Sequence, residues 1–420
     1  MIWHALRALS AVADLSEILL IGVYEDAVFT DFLRSARREF PNVTVNYLRE
    51  YRPLGTAGGL YHFRDSILKG SPKQFFLLNA DVGSSFPLGE LGRFHANHRG
   101  VGTLLVKQVP PAREGPAVNL YGSVVVEPSS SGSGSSKGGL AVHYVEKPES
   151  FVSDRINAGI YLFSTEIFGE IKRAMDDKAR QAAEDPLADA AEIVHLEHDV
   201  LPLLASAHKL FALETADFWL QIKSAGSALA ASSAYLEHFV KHSPELLTPA
   251  SPFRRASTVA PPPTDEKRTG PEIVGAVYIH PDATVDPSAK IGPNVAIGPN
   301  TVVEAGARVA NSILLDGVQV GRHACVVWSI VGGDCKMFVV FPCCCSSAYD
   351  EKSNSNQRLT QTPIAPPSSL PAVARRPHST VVPGLASRAS QSSPSRARSS
   401  RKSSSRSSVR PRLPRFLYSI

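Results

Sequence analysis

Asn79-Ala80-Asp81 is a stretch whose residue types could do chemistry. It closes a continuous apolar run, Phe75 to Leu78, inside Gln74–Val82. Such a run reads as a strand covered on both faces, as in the middle of a parallel sheet. In open α/β sheets, ligands bind just past the carboxyl ends of the strands. A carboxylate there, Asp81, can hold a divalent cation, and the cation can hold phosphates. Asn79 and Asp81 can equally cap a following helix, and the tripeptide by itself leaves both readings open.

Four further stretches carry candidate groups. Pro53-Leu-Gly-Thr-Ala-Gly-Gly59 is expected directly before a helix. Its glycines let backbone approach a ligand, and a helix N-terminus favours negative charge, so a nucleobase or a phosphate fits there. Plain turn chemistry explains the same residues. Tyr144-Val-Glu-Lys-Pro148 ends a strand. Lys147 is a point charge suited to a sugar phosphate, and Glu146 can accept from sugar hydroxyls; a solvated turn is the alternative. In Asn157-Ala-Gly-Ile-Tyr161 the amide of Asn157 could hold a hydroxyl and Gly159 leaves room for a ring. An ordinary strand start reads the same way. Asp217-Phe-Trp-Leu-Gln-Ile222 leads into a helix, with two aromatics for the core.

The elements that must position these groups follow from periodicity. Trp3, Leu6, Leu9 and Val12 recur at helical spacing, Glu17–Tyr24 is a buried strand, 26–40 a helix, Val43–Leu48 a strand and Leu60–Leu68 a helix. With Gln74–Val82 this is βαβαβ, the pattern of an α/β fold with a mixed, mainly parallel, Rossmann-like sheet. A helix that follows no strand is an unusual opening, so a first strand and its loop are expected to be missing. Strands are predicted at Gly102–Lys107, Gly122–Glu127, Val142–Glu146, Ala158–Phe163 and Leu210–Leu213, and helices at 88–98, 165–175, 186–194, 197–206 and 221–240. Pro128–Gly139, rich in Ser and Gly, reads as a tolerated surface insertion.

This first domain is expected over 1–242 and a Pro/Ser-rich linker over 243–272. The period then becomes six: Ile279, Val285, Ile291, Ile297, Val303 and Val309, then Leu314, Val320 and Val326 after a one-residue slip. That is the hexapeptide signature of a parallel β-helix, expected over 273–332, left-handed, and about three coils long. Residues 333–420 hold Ser/Arg/Pro runs whose composition cannot build a core. This tail reads as a phosphorylatable or RNA-binding Arg/Ser segment, or, more simply, as an accidental extension from a shifted frame.

The net charge of +5 is unevenly placed. Residues 351–420 contain thirteen Lys and Arg and one acid, so the first 350 carry −7. An acidic body argues against a nucleic-acid-binding core. The cysteines, Cys325, Cys335 and Cys343-Cys344-Cys345, leave the first domain without a disulfide framework, which fits a reducing compartment. With no signal-peptide pattern and no apolar run of about 18 residues, the expected location is the cytoplasm, away from membranes.

In this order, with hexapeptides behind them, the motifs resemble the sugar-1-phosphate nucleotidyltransferases, and among them the alpha type of GDP-mannose pyrophosphorylase (mannose-1-phosphate guanylyltransferase). The resemblance covers about residues 1–332. It rests on Tyr47-Leu-Arg-Glu-Tyr51, Pro53-Leu-Gly-Thr56, Gly58-Gly-Leu-Tyr-His-Phe-Arg-Asp65 and Gln221-Ile-Lys-Ser-Ala-Gly-Ser227. It implies GDP-mannose biosynthesis, in which mannose 1-phosphate attacks the α-phosphorus of GTP and pyrophosphate leaves. On this resemblance Gly55, Thr56, Gly58 and Asn79 lie by the nucleotide, and Asp81 coordinates Mg²⁺. Gly122, Glu146, Lys147, Asn157 and Gly159 surround the mannosyl phosphate.

Two departures bear on activity. Family members open with a Gly-rich loop carrying Arg and Lys that wraps the triphosphate, and this sequence begins beyond it. Active relatives also place an Asp where this chain has Gln221, and Mg²⁺ prefers anionic oxygen. No residue is therefore assigned a catalytic role. The reading that fits best is a non-catalytic subunit that senses GDP-mannose and assembles with a catalytic beta-type homologue as a hetero-oligomer. The alternatives are a working guanylyltransferase using GTP, mannose 1-phosphate and Mg²⁺, and a truncated product without function.

Overall fold

The apolar runs become strands of one nine-stranded sheet in the computed structural model, which describes residues 2–13, 15–109, 120–128, 138–184, 193–249, 270–338 and 415–419. Most of the Ser/Gly excursion, most of the predicted helix over 186–194, most of the linker, the cysteine triplet and the Ser/Arg runs lie outside these residues.

The first half of the sheet is parallel. β1 (Glu17–Gly22), β2 (Thr44–Arg49) and β3 (Gln74–Asn79) alternate with α2 (Asp26–Glu39), α3 (Gly55–His62) and α4 (Arg64–Leu68), behind α1 (Ile2–Ser10). The short β4 (Val82–Ser84) and α5 (Leu88–Ala96) follow, then β5 (Gly102–Gln108), β6 (Ser123–Pro128), β7 (Gly138–Val145), β8 (Arg155–Ser164), α6 (Ile167–Glu184), a π-helical turn at Leu196–Val200, α7 (Leu201–Ser206), β9 (Leu210–Thr215), β10 (Trp219–Gln221) and α8 (Ala225–His242). The sheet order is β2-β1-(Arg415–Ser419)-β3-β8-β5-β9-β7-β6, with Arg415–Ser419 the C-terminal strand. β8 runs antiparallel to both β3 and β5, β9 parallel to β5, and β7 antiparallel to β9 and β6.

Strand alternation explains why Phe75–Leu78 is uninterrupted. Phe75 and Leu77 point into a core shared with α3, α6 and α7; Phe76 and Leu78 point into the opposite core, with α1, α2 and α5. All four are at most 2% exposed. Each such side chain stabilises the fold by about 1.5–3 kcal/mol through burial alone.

Three expectations change. The helix predicted from Leu60 begins at Gly55, so the Gly-rich stretch is the helix's own first turns. The fifth motif, at 217–222, does not run straight into a helix: Trp219–Gln221 is a strand paired antiparallel with Val82–Ser84. Finally, the tail is not wholly without structure, because Arg415–Ser419 inserts between β1 and β3, parallel to both.

Residues 272–337 form three parallel four-stranded sheets, one per face of a coil. The residues singled out by the six-residue period from Ile291 to Val326 are each at most 2% exposed. The slip of one residue is absorbed at Asn311, whose left-handed backbone (φ 46°) turns a corner that Asn tolerates well. The repeat runs past the predicted end at 332 to a last strand at Lys336–Met337, giving four strands per face rather than three coils. The predicted linker is also partly engaged: the Thr248 amide donates to the Val277 carbonyl (2.9 Å), and its hydroxyl accepts from the Ile279 amide (3.0 Å).

Two histidines beneath the sheet set an acid limit. His95 Nδ1 and His98 Nε2 both meet the Thr103 hydroxyl (2.8 and 2.7 Å), and His98 stacks on Phe211. Burial lowers each pKa to about 4 from 6.5. The unfolded chain therefore takes up protons that the folded chain refuses. Their contribution is full above pH 6.5 and is lost as pH falls toward 4, by on the order of 2–3 kcal/mol for the better buried His95. Urea melts at pH 7.5 and 4.5 should show this loss, and His95→Gln should flatten it.

Candidate functional site

The carboxyl end of β3 and the amino end of the antiparallel β8 open onto a cleft of about 370 Å³. It gathers Asn79, Gly122, Glu146, Lys147, Asn157, Gly159 and Gln221, residues far apart in sequence. Five loops and strand ends therefore converge where an open α/β sheet binds ligands.

Asn157 does not face the cleft with a free amide. Its Oδ1 accepts from the Gly159 amide (3.0 Å), which fixes the orientation of the group. Its Nδ2 then donates to both Tyr144 (3.0 Å) and Tyr161 (2.8 Å). The Tyr144 hydroxyl donates to Glu146 Oε2 (2.9 Å), and the Tyr161 hydroxyl to Glu197 Oε1 (3.5 Å). Burial drives both tyrosines far above their ordinary range, so both remain proton donors. Burial also raises the Glu197 carboxyl, which a backbone hydrogen bond at Glu197 and, to a lesser degree, one from Asn79 partly offset.

The glycines serve this arrangement. A side chain at Gly122 would strike the Tyr144 hydroxyl at 2.2 Å. Gly159, with φ +67°, does not leave room for a ring: the Asn79 amide fills the space its Cβ would need. Lys147 also sits in left-handed backbone, φ 45°, an uncommon state for a residue with a side chain and one that clusters at ligand sites. Its ammonium lies 3.7 Å from Glu146 Oε1.

The nucleotide-side stretch behaves differently. The amides of Ala57 and Gly58, at the start of α3, both donate to the Val194 carbonyl at 3.0 Å. That same carbonyl lies 2.5 Å from where a Gly55 Cβ would be. The close backbone approach is thus to the chain itself, and the helix N-terminus spends these donors internally. Gly58 lines a second hollow with Glu50, Tyr61 and Arg64; Gly55 and Thr56 do not line the cleft.

Asp81 and Gln221 meet because β4 pairs with β10. The Gln221 backbone lies opposite Val82, and the Ile222 amide donates to the Asp81 carbonyl (2.7 Å). Gln221 Nε2 then donates to Asp81 Oδ2 at 2.8 Å. Turning the amide over would set two oxygens against each other, so the donor assignment is the stable one. This donor set does not fit Mg²⁺: the cation needs the carboxylate oxygen that the amide holds, and Gln adds no charge. Among the described residues no group of three or more His, Cys, Asp or Glu side chains is placed to hold a metal ion.

Several lining residues had no motif to announce them: Tyr121, His195, Glu197 and His198; Trp219 and Lys223 lie in stretches already singled out, but with no site role assigned. Trp219 is anchored by its indole N–H on the Ala158 carbonyl (2.8 Å), with Tyr121 edge-on against it. Glu197 sits on the π-helical turn, and only the folding of that turn over β8 brings it to the cleft.

A cleft at the carboxyl edge of such a sheet, acceptor-rich on one side and with lysines at its rim, defines a sugar nucleotidyltransferase type of site. A family model described as "Nucleotidyl transferase" matches residues 1–213, and one described as "GMPPB C-terminal domain" matches residues 273–341. The chain is 42% identical over 338 residues to the zebrafish protein called mannose-1-phosphate guanylyltransferase regulatory subunit alpha-B, spanning 80% of this chain and 74% of that one. It is 43% identical over 339 residues to the human regulatory subunit alpha, spanning 79% and 73% of the two chains. A fission-yeast protein called probable mannose-1-phosphate guanyltransferase is 39% identical over 346 residues, 80% of this chain and 75% of the relative. The chain belongs to the nucleotidyltransferase family, in its mannose-1-phosphate guanylyltransferase alpha group. Among its described residues no helix is long and apolar enough to cross a membrane.

Proposed function

We propose that this chain is a non-catalytic regulatory subunit that binds GDP-mannose in the cleft and works with a catalytic homologue in a hetero-oligomer. The observation that carries the reading is the Gln221–Asp81 hydrogen bond, which satisfies the lone carboxylate without a cation. Binding needs only the sugar-side groups, and these are assembled: Lys147 for the phosphate, Glu146 for ring hydroxyls, Asn79 at the strand end. The relatives' designation as regulatory subunits supports the division of labour. A cytoplasmic setting agrees with the free, exposed thiols of Cys325 and Cys335.

Calorimetry with GDP-mannose tests the reading. Binding that is unchanged by Mg²⁺ is expected, with no pyrophosphate released from GTP and mannose 1-phosphate by the purified chain. Mg²⁺-dependent pyrophosphate release that Asp81→Ala abolishes would replace this reading with a working transferase. No heat at millimolar GDP-mannose would remove it.

A further inference from the structure

We propose that a cavity between α1, α8 and the β-helix is a second ligand site, for an uncharged fused-ring heteroaromatic molecule, and that its occupant bears on the cleft through the β4–β10 ribbon that walls both. The site does not depend on what the cleft binds.

The cavity measures about 630 Å³, larger than the cleft and within the size range of small-molecule sites. Rings form one wall. His4 of α1 stacks on Tyr235 of α8 at 3.8 Å and 13°, and Phe239 lies one turn further along α8, 6.2 Å from each. The opposite wall is a ladder on one face of the β-helix. Tyr278, Ala296 and Ile313 pair in register on successive coils, and Ala296 and Ile313 are each the outward residue between two buried ones. Such walls favour a flat, largely apolar occupant. They suit water poorly, since a buried water needs roughly two to four polar partners.

The polar groups narrow the class. The His4 ring and the Tyr278 hydroxyl make no hydrogen bond within the described residues. Neither is sealed away, because the buried side-chain polar atoms without a partner there are Arg49 Nε and Ser164 Oγ. Burial first, then nearby positive charge, lowers the His4 pKa to about 4, so the ring is neutral. A neutral imidazole offers one donor and one acceptor, the complement of a ring N–H or a ring nitrogen. Arg7, the only Lys or Arg among the described lining residues, is held by Glu39 at 2.9 Å. No described lining cation is left for a phosphate, so a nucleotide belongs to the cleft and not here.

The two spaces share a wall. Gln221 lines the cleft, its neighbour Ile222 lines the cavity, and Val82 of β4 lines both. The Tyr235 hydroxyl accepts from the Ser84 amide at 3.2 Å, which ties the ring wall to β4. A Cβ on Gly83 would stand 3.4 Å from Ile222 Cδ1 and 3.5 Å from the Tyr235 ring. A ligand pressing on Tyr235 and Ile222 therefore presses on the ribbon that carries Gln221.

The experiment uses indole as the probe, an uncharged fused ring with one N–H, with calorimetry and hydrogen exchange on the full chain. Wild type should bind indole at millimolar concentration or below. Ala296→Phe, which fills the cavity from the β-helix side, should abolish that binding, and Ser232→Phe on α8 replaces it if it does not fold. His4→Phe keeps a ring against Tyr235 but loses the nitrogens, so roughly three- to tenfold weaker binding is expected. Indole should also slow exchange of the amides of Val82–Ser84 and Trp219–Ile222. No binding by wild type, or binding that the filling variants leave intact, overturns the site. Equal binding by His4→Phe, or equal binding of indole-3-acetate, overturns the proposed ligand class. Unchanged exchange in the ribbon on indole binding overturns the link to the cleft.

Discussion

Gln221→Asp is expected to make this chain respond to Mg²⁺. Without divalent cation the variant loses a charge-assisted hydrogen bond, worth roughly 1.5–3 kcal/mol, and sets two carboxylates against each other. The wild-type contact is 2.8 Å, so the repulsion acts at close range. A destabilisation of about 2 kcal/mol lowers Tm by roughly 4–8 °C for a domain of this size. Mg²⁺ then restores the loss, because two carboxylates form the anionic oxygen pair that the cation prefers. At one hundred times its Kd the cation adds about 2.7 kcal/mol. Wild type should not move. The measurement is a thermal melt with and without Mg²⁺, with Gln221→Ala as the control that removes the amide and adds no charge. A wild-type melt that rises with Mg²⁺ as much as the variant's would show that Asp81 binds the metal unaided.

Removing the C-terminal strand, residues 411–420, should cost the first domain its cooperative fold. Arg415–Ser419 pairs with Ile18–Ile21 on one side and with Phe75–Asn79 on the other. Those neighbours are the most buried part of the sheet: Ile18, Leu20, Phe75 and Leu77 have no exposed surface. Their backbone donors and acceptors would lose their partners in a layer that water does not reach. A buried, unsatisfied group costs about 1–3 kcal/mol. Several at once exceed the roughly 5–15 kcal/mol by which folded domains are stable. Hydrogen exchange gives the cleanest test: the amides of Ile18–Ile21 and Phe75–Leu78 should lose protection together in the truncated chain, while those of the β-helix keep theirs. An unchanged melt and unchanged protection would show that the strand is dispensable.

The sequence by itself determined the elements. The unbroken apolar run at Phe75–Leu78 reads as a strand covered on both faces, because a strand with one wet face alternates. The six-residue spacing from Ile279 to Val326 required a coil with one inward side chain per face, since no other regular structure repeats an aliphatic at that interval. Strand and coil are local properties of composition and period, and they survive without knowledge of neighbours. That Gln221 stands where active relatives carry an Asp was implied by the family resemblance, not by period.

Tertiary structure alone decided what touches what. Glu197 had no signal in Leu196-Glu-His-Asp-Val200, because its role depends on a π-helical turn folding over β8. Asn157 was legible as a polar residue at a strand end, but only the fold shows its amide spent on two tyrosines. The glycines of residues 55–59 were read as a ligand loop; in the fold they make room for the Val194 carbonyl and the Glu50 side chain. The tail's composition spoke against structure, yet Arg415–Ser419 pairs on both sides, because a slot between two parallel strands rewards any segment able to complete the backbone ladder. Asp81 shows the division most plainly. Sequence placed it at a strand end and withheld a second carboxylate; pairing of β4 with β10 then put the Gln221 amide on its free oxygen.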